Sequence, residues 1–282
     1  MTTPGPVVSA QWLRDSLDNP SIRIVDATLH LPDTGRDARA EYLAEHIPGA
    51  VFFDYARVAD PDNALPRKFP PPQRFADEVG ALGIDNSTHV VAYDTLGLYS
   101  AARAWWLFRQ YGYDNVSILD GGLKDWKANG FPVQAGEVNV ARKTFVPGAQ
   151  RDLLARWPEV KQASEAHAQI LDARTPGRFA GTELDRYPGT RPGHIPNSNN
   201  LYWANLLDPQ SRKLLPSNVI RERMEQAGIS LDKPVTLTCG SGVTACILAL
   251  GLHLNGHDAW RVYDGSWDEW GRRADLPVES AG

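Results

Sequence analysis

The chain has 282 residues, 42% of them hydrophobic, with nine tryptophans and a formal net charge of −5. Because this length exceeds that of an ordinary single domain, two domains are expected, and the apolar content is sufficient for two packed cores. The mildly acidic charge and the lack of a basic stripe argue against a nucleic-acid partner. No apolar run is long enough to span a membrane, so a membrane partner is not expected either.

The two cysteines, Cys239 and Cys246, are too few for a disulfide framework and fit a reducing compartment. Residues 1–11 contain neither the cationic segment nor the apolar stretch of a signal peptide. A cytoplasmic location is therefore predicted. No nucleotide-binding loop and no metal-ligand spacing is found, so no cofactor is expected.

Short apolar runs alternate with helical patterns along the first half of the chain. Helices are predicted at residues 9–18, 74–82, 100–111 and 123–129, and strands at 22–25, 50–52, 90–93 and 116–119. Strands that are apolar on both faces and separated by helices predict an α/β fold with a mainly parallel sheet. In such sheets, ligands bind beyond the carboxyl ends of the strands.

Four short motifs of the first half recur in the same order in the second half. The pairs are residues 24–27 with 170–173, 46–50 with 194–198, 89–94 with 234–239, and 120–122 with 264–266. A constant separation of roughly 145 residues indicates two tandem copies of one domain. We place the first domain at 1–140 and the second at 155–282, with a polar linker within 136–151.

The segment from Cys239 to Thr244 (Cys-Gly-Ser-Gly-Val-Thr) lies between a predicted strand, 235–238, and a predicted helix. Backbone N–H groups at a helix N-terminus lack partners, and Gly240 and Gly242 allow a tight turn in which they converge on one anion. Cys239 is therefore predicted to be a nucleophilic thiolate, the alternative being an inert buried cysteine.

The two copies differ at this position, because Asp94 stands in the first copy where Cys239 stands in the second. A carboxylate can cap a helix but cannot act as a sulfur nucleophile, so the first domain is predicted to be catalytically inactive. Cys246 falls on the apolar face of the helix after the loop. We expect it to be a packed core thiol, with a redox partner for Cys239 as the alternative.

The Cys239–Thr244 loop in a tandem duplication resembles the rhodanese superfamily and, within it, the 3-mercaptopyruvate sulfurtransferases. The resemblance also includes residues 35–39, 46–50, 120–122 and 264–267, and it covers nearly the whole chain. It implies two rhodanese-type domains, the second carrying a cysteine that becomes a persulfide. Sulfur would pass from a small-molecule donor to Cys239, and then to thioredoxin, glutathione or cyanide.

The resemblance also implies roles for residues around the loop. Thiosulfate-using relatives carry basic residues directly after the cysteine, whereas Gly240 and Ser241 are neutral and suit mercaptopyruvate better. Ser241 joins His46 and Asp37 in a relay that protonates the departing enolate. Because the His-Ile-Pro motif recurs at His194, a structural role is the alternative for His46 and Asp37.

A substrate carboxylate is best bound by a forked guanidinium. The resemblance implies that Arg178 and Arg186 clamp the carboxylate and carbonyl of mercaptopyruvate, with Arg191 as an alternative to Arg186. Gly240, Gly242, Val243 and Thr244 would form the substrate-binding loop.

Three other functions were weighed. A thiosulfate:cyanide sulfurtransferase is the nearest alternative, and a non-enzymatic sulfide carrier would need an inert Cys239. A cysteine phosphatase needs an arginine six residues after the cysteine, where Ala245 stands.

Overall fold

The computed structural model describes residues 4–280, so the outer ends of the two predicted domains, residues 1–3 and 281–282, lie outside it. The chain divides into two compact units. The first contains residues 1–151 and 209–214, and the second contains 152–208 and 215–282. Among the described residues, no helix has the length and apolar character needed to cross a bilayer.

The first unit is a five-stranded sheet with the order β1-β5-β4-β2-β3, and all of its strand pairs are parallel. Its strands are β1 (Val7–Val8), β2 (Ile22–Asp26), β3 (Val51–Phe52), β4 (His89–Tyr93) and β5 (Val116–Leu119). Its helices are α1 (Ala10–Asp15), α2 (Ala38–Ala44), α3 (Tyr55–Val58), α4 (Pro72–Ala81), α5 (Ala101–Gln110) and α6 (Gly122–Ala128), with a 3-10 turn at Pro32–Thr34.

The second unit repeats this architecture, with the sheet order β6-β10-β9-β7-β8 and parallel pairing throughout. Its strands are β6 (Leu154–Ala155), β7 (Gln169–Asp172), β8 (Asn199–Asn200), β9 (Val235–Thr238) and β10 (Trp260–Tyr263). Its helices are α7 (Trp157–Glu165), α8 (Pro176–Ala180), α9 (Ser217–Gln226), α10 (Ala245–Leu254) and α11 (Ser266–Trp270), with a 3-10 turn at Trp203–Leu206.

The predicted α/β class with two parallel sheets is confirmed. The central strand β4 is buried along its whole length, which explains why its sequence is a continuous apolar run rather than an alternating one. The helix predicted from residue 9 begins at Ala10, because Ser9 accepts a hydrogen bond from Trp12 N (3.1 Å) as its N-cap. It ends at Asp15, three residues earlier than predicted, with Ser16 as its C-cap.

The internal repeat extends to individual packing contacts. Trp126 and Trp270 are fully buried, and the indole N–H of each donates to a proline carbonyl, that of Pro132 (2.7 Å) and that of Pro277 (2.8 Å) respectively. Each tryptophan anchors the short helix that follows the last long strand of its sheet. Burying such a large side chain with its polar atom satisfied stabilises the same corner in both units.

The segment predicted as a linker, residues 136–151, runs along the first unit. Lys143 N donates to Gly80 O (2.9 Å) at α4, and Gly148 N donates to Tyr111 O (2.9 Å) just after α5. These backbone hydrogen bonds fix the segment to the helical layer of the first unit.

Candidate active site

The loop between β9 and α10 begins with Cys239 at the carboxyl end of the strand. Cys239 is buried, with 1% of its surface exposed, and its Sγ accepts a hydrogen bond from Gly242 N (3.2 Å). Gly242 has φ +81°, a conformation in which residues with a Cβ are strained. A buried thiolate requires hydrogen-bond donors aimed at it, and this loop supplies one from its own backbone.

Helix α11 holds the same loop through its carbonyls. Trp267 N donates to Cys239 O (3.0 Å), and Asp268 N donates to Gly240 O (2.8 Å). The Ser266 hydroxyl accepts a hydrogen bond from Cys239 N (3.2 Å) and lies 3.8 Å from the Cys239 sulfur. Helix α11 thus binds the carbonyls of residues 239 and 240, while the peptide N–H of Gly242 points at the sulfur.

Ser266 is a site residue that sequence reasoning did not single out. It is fully buried, and its φ of +51° is uncommon for a residue other than glycine. The equivalent position in the first unit is Gly122, with φ +54°. The only signal in the sequence was this difference between the two copies, a serine where the repeat carries glycine.

The rest of the loop leads into the N-terminus of helix α10. Val243 O accepts a hydrogen bond from Cys246 N (3.2 Å), and Thr244 O accepts one from Ile247 N (3.1 Å). Cys246 is fully buried, and its thiol donates to Gly242 O (3.4 Å). Its position is that of a packed core thiol, and it stabilises the backbone of the Cys239–Thr244 loop.

The segment after β7 carries the arginines that were expected to bind substrate. Arg178 lies on α8 with 11% of its side chain exposed, and its Nε lies 3.7 Å from Asp185 Oδ2. That Nε is buried and has no hydrogen-bond partner among the residues that the structure describes. An unsatisfied buried guanidinium N–H is costly, and an incoming anion would satisfy it.

A buried charge network centred on Arg174 was not predicted. Arg174 donates to Asp172 Oδ2 from Nη2 (2.7 Å) and to Asp185 Oδ2 from Nη1 (2.9 Å), and its guanidinium lies over the Trp267 ring. Burial alone would lower the pKa of Arg174, but the two carboxylates outweigh this effect and raise it above its ordinary value. Arg174 therefore stays charged and ties Asp185, at the start of the Arg186 segment, to β7.

The two alternatives for the second carboxylate-binding arginine differ in their surroundings. Arg191 donates from its guanidinium to four backbone carbonyls, those of Gly271 (3.2 Å), Trp270 (3.4 Å), Arg273 (2.6 Å) and Leu276 (2.9 Å). These bonds make Arg191 part of the fold after α11. Arg186 is exposed on the loop that carries Asp185, and its backbone N donates to Asp185 Oδ1 (2.7 Å). Arg191 therefore has a structural role, and the assignment of the second carboxylate-binding arginine to Arg186 stays a prediction.

Tyr187 is a further residue that the sequence did not reveal. Its hydroxyl donates to Ser241 Oγ (2.9 Å). Burial raises the pKa of Tyr187 to about 12, and smaller influences come from Ser241, Cys239 and Arg178. The phenol therefore lies near the predicted nucleophile and the predicted carboxylate ligand.

His46 and Asp37 lie in the first unit. His46 is fully buried, its Nδ1 is 2.7 Å from Tyr42 O, and its ring stacks on Tyr42 with centroids 4.2 Å apart. His194 in the second unit has the same contacts with Phe179, at 2.7 Å and 3.8 Å. Asp37 is exposed and caps α2. The shared geometry fits the structural alternative for His46, and the relay stays a prediction.

The equivalent loop of the first unit is filled by its own side chain. Asp94 is fully buried, and its carboxylate accepts four backbone N–H bonds, from Leu96 (2.9 Å), Tyr99 (2.7 Å), Ser100 (2.9 Å) and Ala101 (3.0 Å). The turn before α5 thus binds an anion, as expected for N–H groups at a helix N-terminus. In this unit the anion is a permanent part of the chain.

Comparisons with known proteins agree with this architecture. The Rhodanese-like domain family matches residues 9–129 and 157–273. The human 3-mercaptopyruvate sulfurtransferase is 40% identical to this chain, and the match covers 95% of this chain and 92% of the human one. An Arabidopsis thaliana mitochondrial thiosulfate/3-mercaptopyruvate sulfurtransferase is also 40% identical, and that match covers 99% of this chain and 79% of the plant protein. The crystal structure of SseA, a 3-mercaptopyruvate sulfotransferase from Escherichia coli, aligns with a TM-score of 0.84 and 36% identity over 94% of this chain and 99% of that one. The chain is a member of the rhodanese family with two rhodanese-like domains.

Proposed function

We propose that this protein is a 3-mercaptopyruvate sulfurtransferase in which Cys239 carries the transferred sulfur. The observation that supports this most directly is the Cys239 loop, where a backbone N–H is aimed at the sulfur and the next two residues, Gly240 and Ser241, carry no charge. Relatives about 40% identical over most of the chain carry this name.

The reaction is a double displacement. The Cys239 thiolate attacks the thiol sulfur of 3-mercaptopyruvate, an S–S bond forms, and the C–S bond breaks. The electron pair of the broken bond passes to the methylene carbon, which leaves as the enolate of pyruvate and takes up a proton. An acceptor thiolate, such as that of thioredoxin or glutathione, or cyanide then attacks the outer sulfur and releases Cys239.

The residues around Cys239 would bind the donor, stabilise the sulfur anion and supply the proton that the enolate takes up. Arg178 and Arg186 would hold the carboxylate and carbonyl of the donor, since a guanidinium offers two parallel donors to a carboxylate. The backbone of Gly240, Gly242, Val243 and Thr244 would hold the sulfur anion. For the proton that completes pyruvate, we propose the relay of Ser241, His46 and Asp37. Both cysteines are free thiols, as a reducing compartment such as the cytoplasm would maintain them.

The choice of donor tests the proposal. We expect kcat/KM for 3-mercaptopyruvate to exceed that for thiosulfate by about tenfold or more, because the two residues after the cysteine, Gly240 and Ser241, offer a thiosulfate dianion no charge. A tenfold preference corresponds to only about 1.4 kcal/mol. Steady-state kinetics with cyanide as the common acceptor measures both values. Equal or faster thiosulfate turnover would instead identify a thiosulfate:cyanide sulfurtransferase.

Arg178→Ala is expected to lower kcat/KM for 3-mercaptopyruvate by about 10- to 100-fold. The reason is the loss of a hydrogen bond between the guanidinium and the donor carboxylate, which contributes about 1.5–3 kcal/mol. Thermal unfolding should change little, because the Nε–Asp185 separation of 3.7 Å is a weak contact. Arg221→Ala, which removes an exposed arginine of α9, is the matched control and should retain full activity. Unchanged kinetics in Arg178→Ala would remove Arg178 from the site.

A further inference from the structure

We propose that Tyr187 is a positioning residue that sets the donor specificity of the Cys239 loop, an inference that rests on the proposed function. Two contacts carry it. The Tyr187 hydroxyl donates to Ser241 Oγ (2.9 Å), and the Tyr187 ring covers the Cα of Gly240. Through them one side chain from the loop after α8 touches both neutral residues that follow the nucleophile.

The contact with Gly240 explains why this position is a glycine. A Cβ built there would lie 2.6 Å from Tyr187 Cε2, 3.0 Å from its hydroxyl and 3.2 Å from its Cζ, and these are its three nearest neighbours. The φ angle of Gly240 lies outside the left-handed range, so its backbone would tolerate a side chain. Gly242, at φ +81°, is different, because its backbone conformation itself favours glycine. A side chain at position 240 would therefore have to displace the Tyr187 ring from its place over the loop.

The contact with Ser241 orients a hydroxyl beside the nucleophile. The Tyr187 hydroxyl donates and Ser241 Oγ accepts, and because the pKa of Tyr187 is raised to about 12 the phenol keeps its proton at neutral pH. The Ser241 proton is then directed to another acceptor. In the proposed reaction that acceptor is the departing enolate, or the group that protonates it.

The orientation of the Ser241 hydroxyl matters for 3-mercaptopyruvate and not for thiosulfate. The enolate that leaves 3-mercaptopyruvate must gain a proton on carbon, whereas the sulfite that leaves thiosulfate is stable as an anion. A hydroxyl held in the correct orientation therefore speeds the first reaction and has little effect on the second. Tyr187 therefore favours mercaptopyruvate by orienting Ser241.

The test is a set of four variants, Tyr187→Phe, Gly240→Ala, the double variant and Ser241→Ala, each assayed with both donors. Tyr187→Phe keeps the ring and removes the hydrogen bond, so kcat for 3-mercaptopyruvate should fall about 5- to 10-fold with thiosulfate turnover and the unfolding temperature unchanged. Gly240→Ala displaces the ring from Ser241 and should give the same loss. The double variant should lose no more than either single variant, because all three remove one hydrogen bond.

The outcomes separate this inference from the proposed function. If the wild-type protein takes sulfur from neither donor, the proposed function is wrong. If Ser241→Ala slows 3-mercaptopyruvate turnover but Tyr187→Phe does not, the function stands and the role of Tyr187 is refuted. A loss with both donors, an additive loss in the double variant, or no effect in Ser241→Ala would likewise overturn it.

Discussion

Cys239→Ser is expected to abolish sulfur transfer, lowering turnover by about 1000-fold or more, because a serine hydroxyl is not ionised at neutral pH and cannot hold a transferable sulfur atom. The substitution changes one atom and keeps the backbone bonds from Trp267 N to the carbonyl of residue 239 and from that residue's N to Ser266 Oγ. The fold should therefore be retained. Mass spectrometry of the intact protein after donor treatment measures the effect directly: the wild type gains the mass of one sulfur atom, and the variant gains none.

Cys246→Ser is the matched control. Cys246 is also fully buried, and a serine there can still donate to Gly242 O, as the thiol does at 3.4 Å. This variant should take up one sulfur atom and turn over normally. Sulfur uptake by Cys239→Ser, or its loss in Cys246→Ser, would place the reactive thiol at the wrong cysteine and contradict the proposed reaction.

Arg174→Met is expected to cost about 3–5 kcal/mol of unfolding free energy, because it leaves two buried carboxylates without their cation. The partners Asp172 and Asp185 are 1% and 3% exposed at their side chains, so water cannot replace the guanidinium. The shape of methionine fills much of the same space over the Trp267 ring, so the loss reports the charge rather than a cavity. Chemical denaturation followed by tryptophan fluorescence measures it.

Arg261→Met is the control for this experiment, since Arg261 also pairs with two carboxylates of the second unit, Asp152 and Glu159. Its side chain is 39% exposed, and an exposed pair contributes only about 0–1 kcal/mol. We expect its unfolding free energy to stay close to that of the wild type. Equal stability of the two variants would show that the Arg174 network contributes no more than a surface ion pair.

The fold was predictable because it depends on local patterns that occur twice. The apolar runs that become β4 and β9 and the glycine-bearing turns that follow them are contiguous in sequence, and their repetition indicated the second domain. The substitution of Asp94 for Cys239 at equivalent positions also identified which loop carries a thiol. Patterns of this kind depend only on short-range sterics and on which faces are buried.

The surroundings of Cys239 were less predictable, because they depend on contacts between segments far apart in the chain. Ser266 is 27 residues from Cys239, and Tyr187 is 54 residues from Ser241. Neither lies on a periodic face, and a loop tyrosine has no spacing that marks it as a site residue. The Arg174 network was missed for the same reason, since Asp185 reaches it from an irregular loop.

The carboxylate of Asp94 has a consequence for how the two domains have diverged. Four peptide N–H groups that would otherwise need a ligand are satisfied by a side chain of the first unit itself, so this turn needs no bound anion. The turn that joins Asp94 to α5 is also one residue longer than the turn that joins Cys239 to α10. Restoring a thiol at position 94 would therefore strip four donors of their acceptor without recreating the shorter loop. We therefore expect that Asp94→Cys alone would not give the first unit the loop geometry that surrounds Cys239, so a thiol and an acceptable loop length would have to arise together.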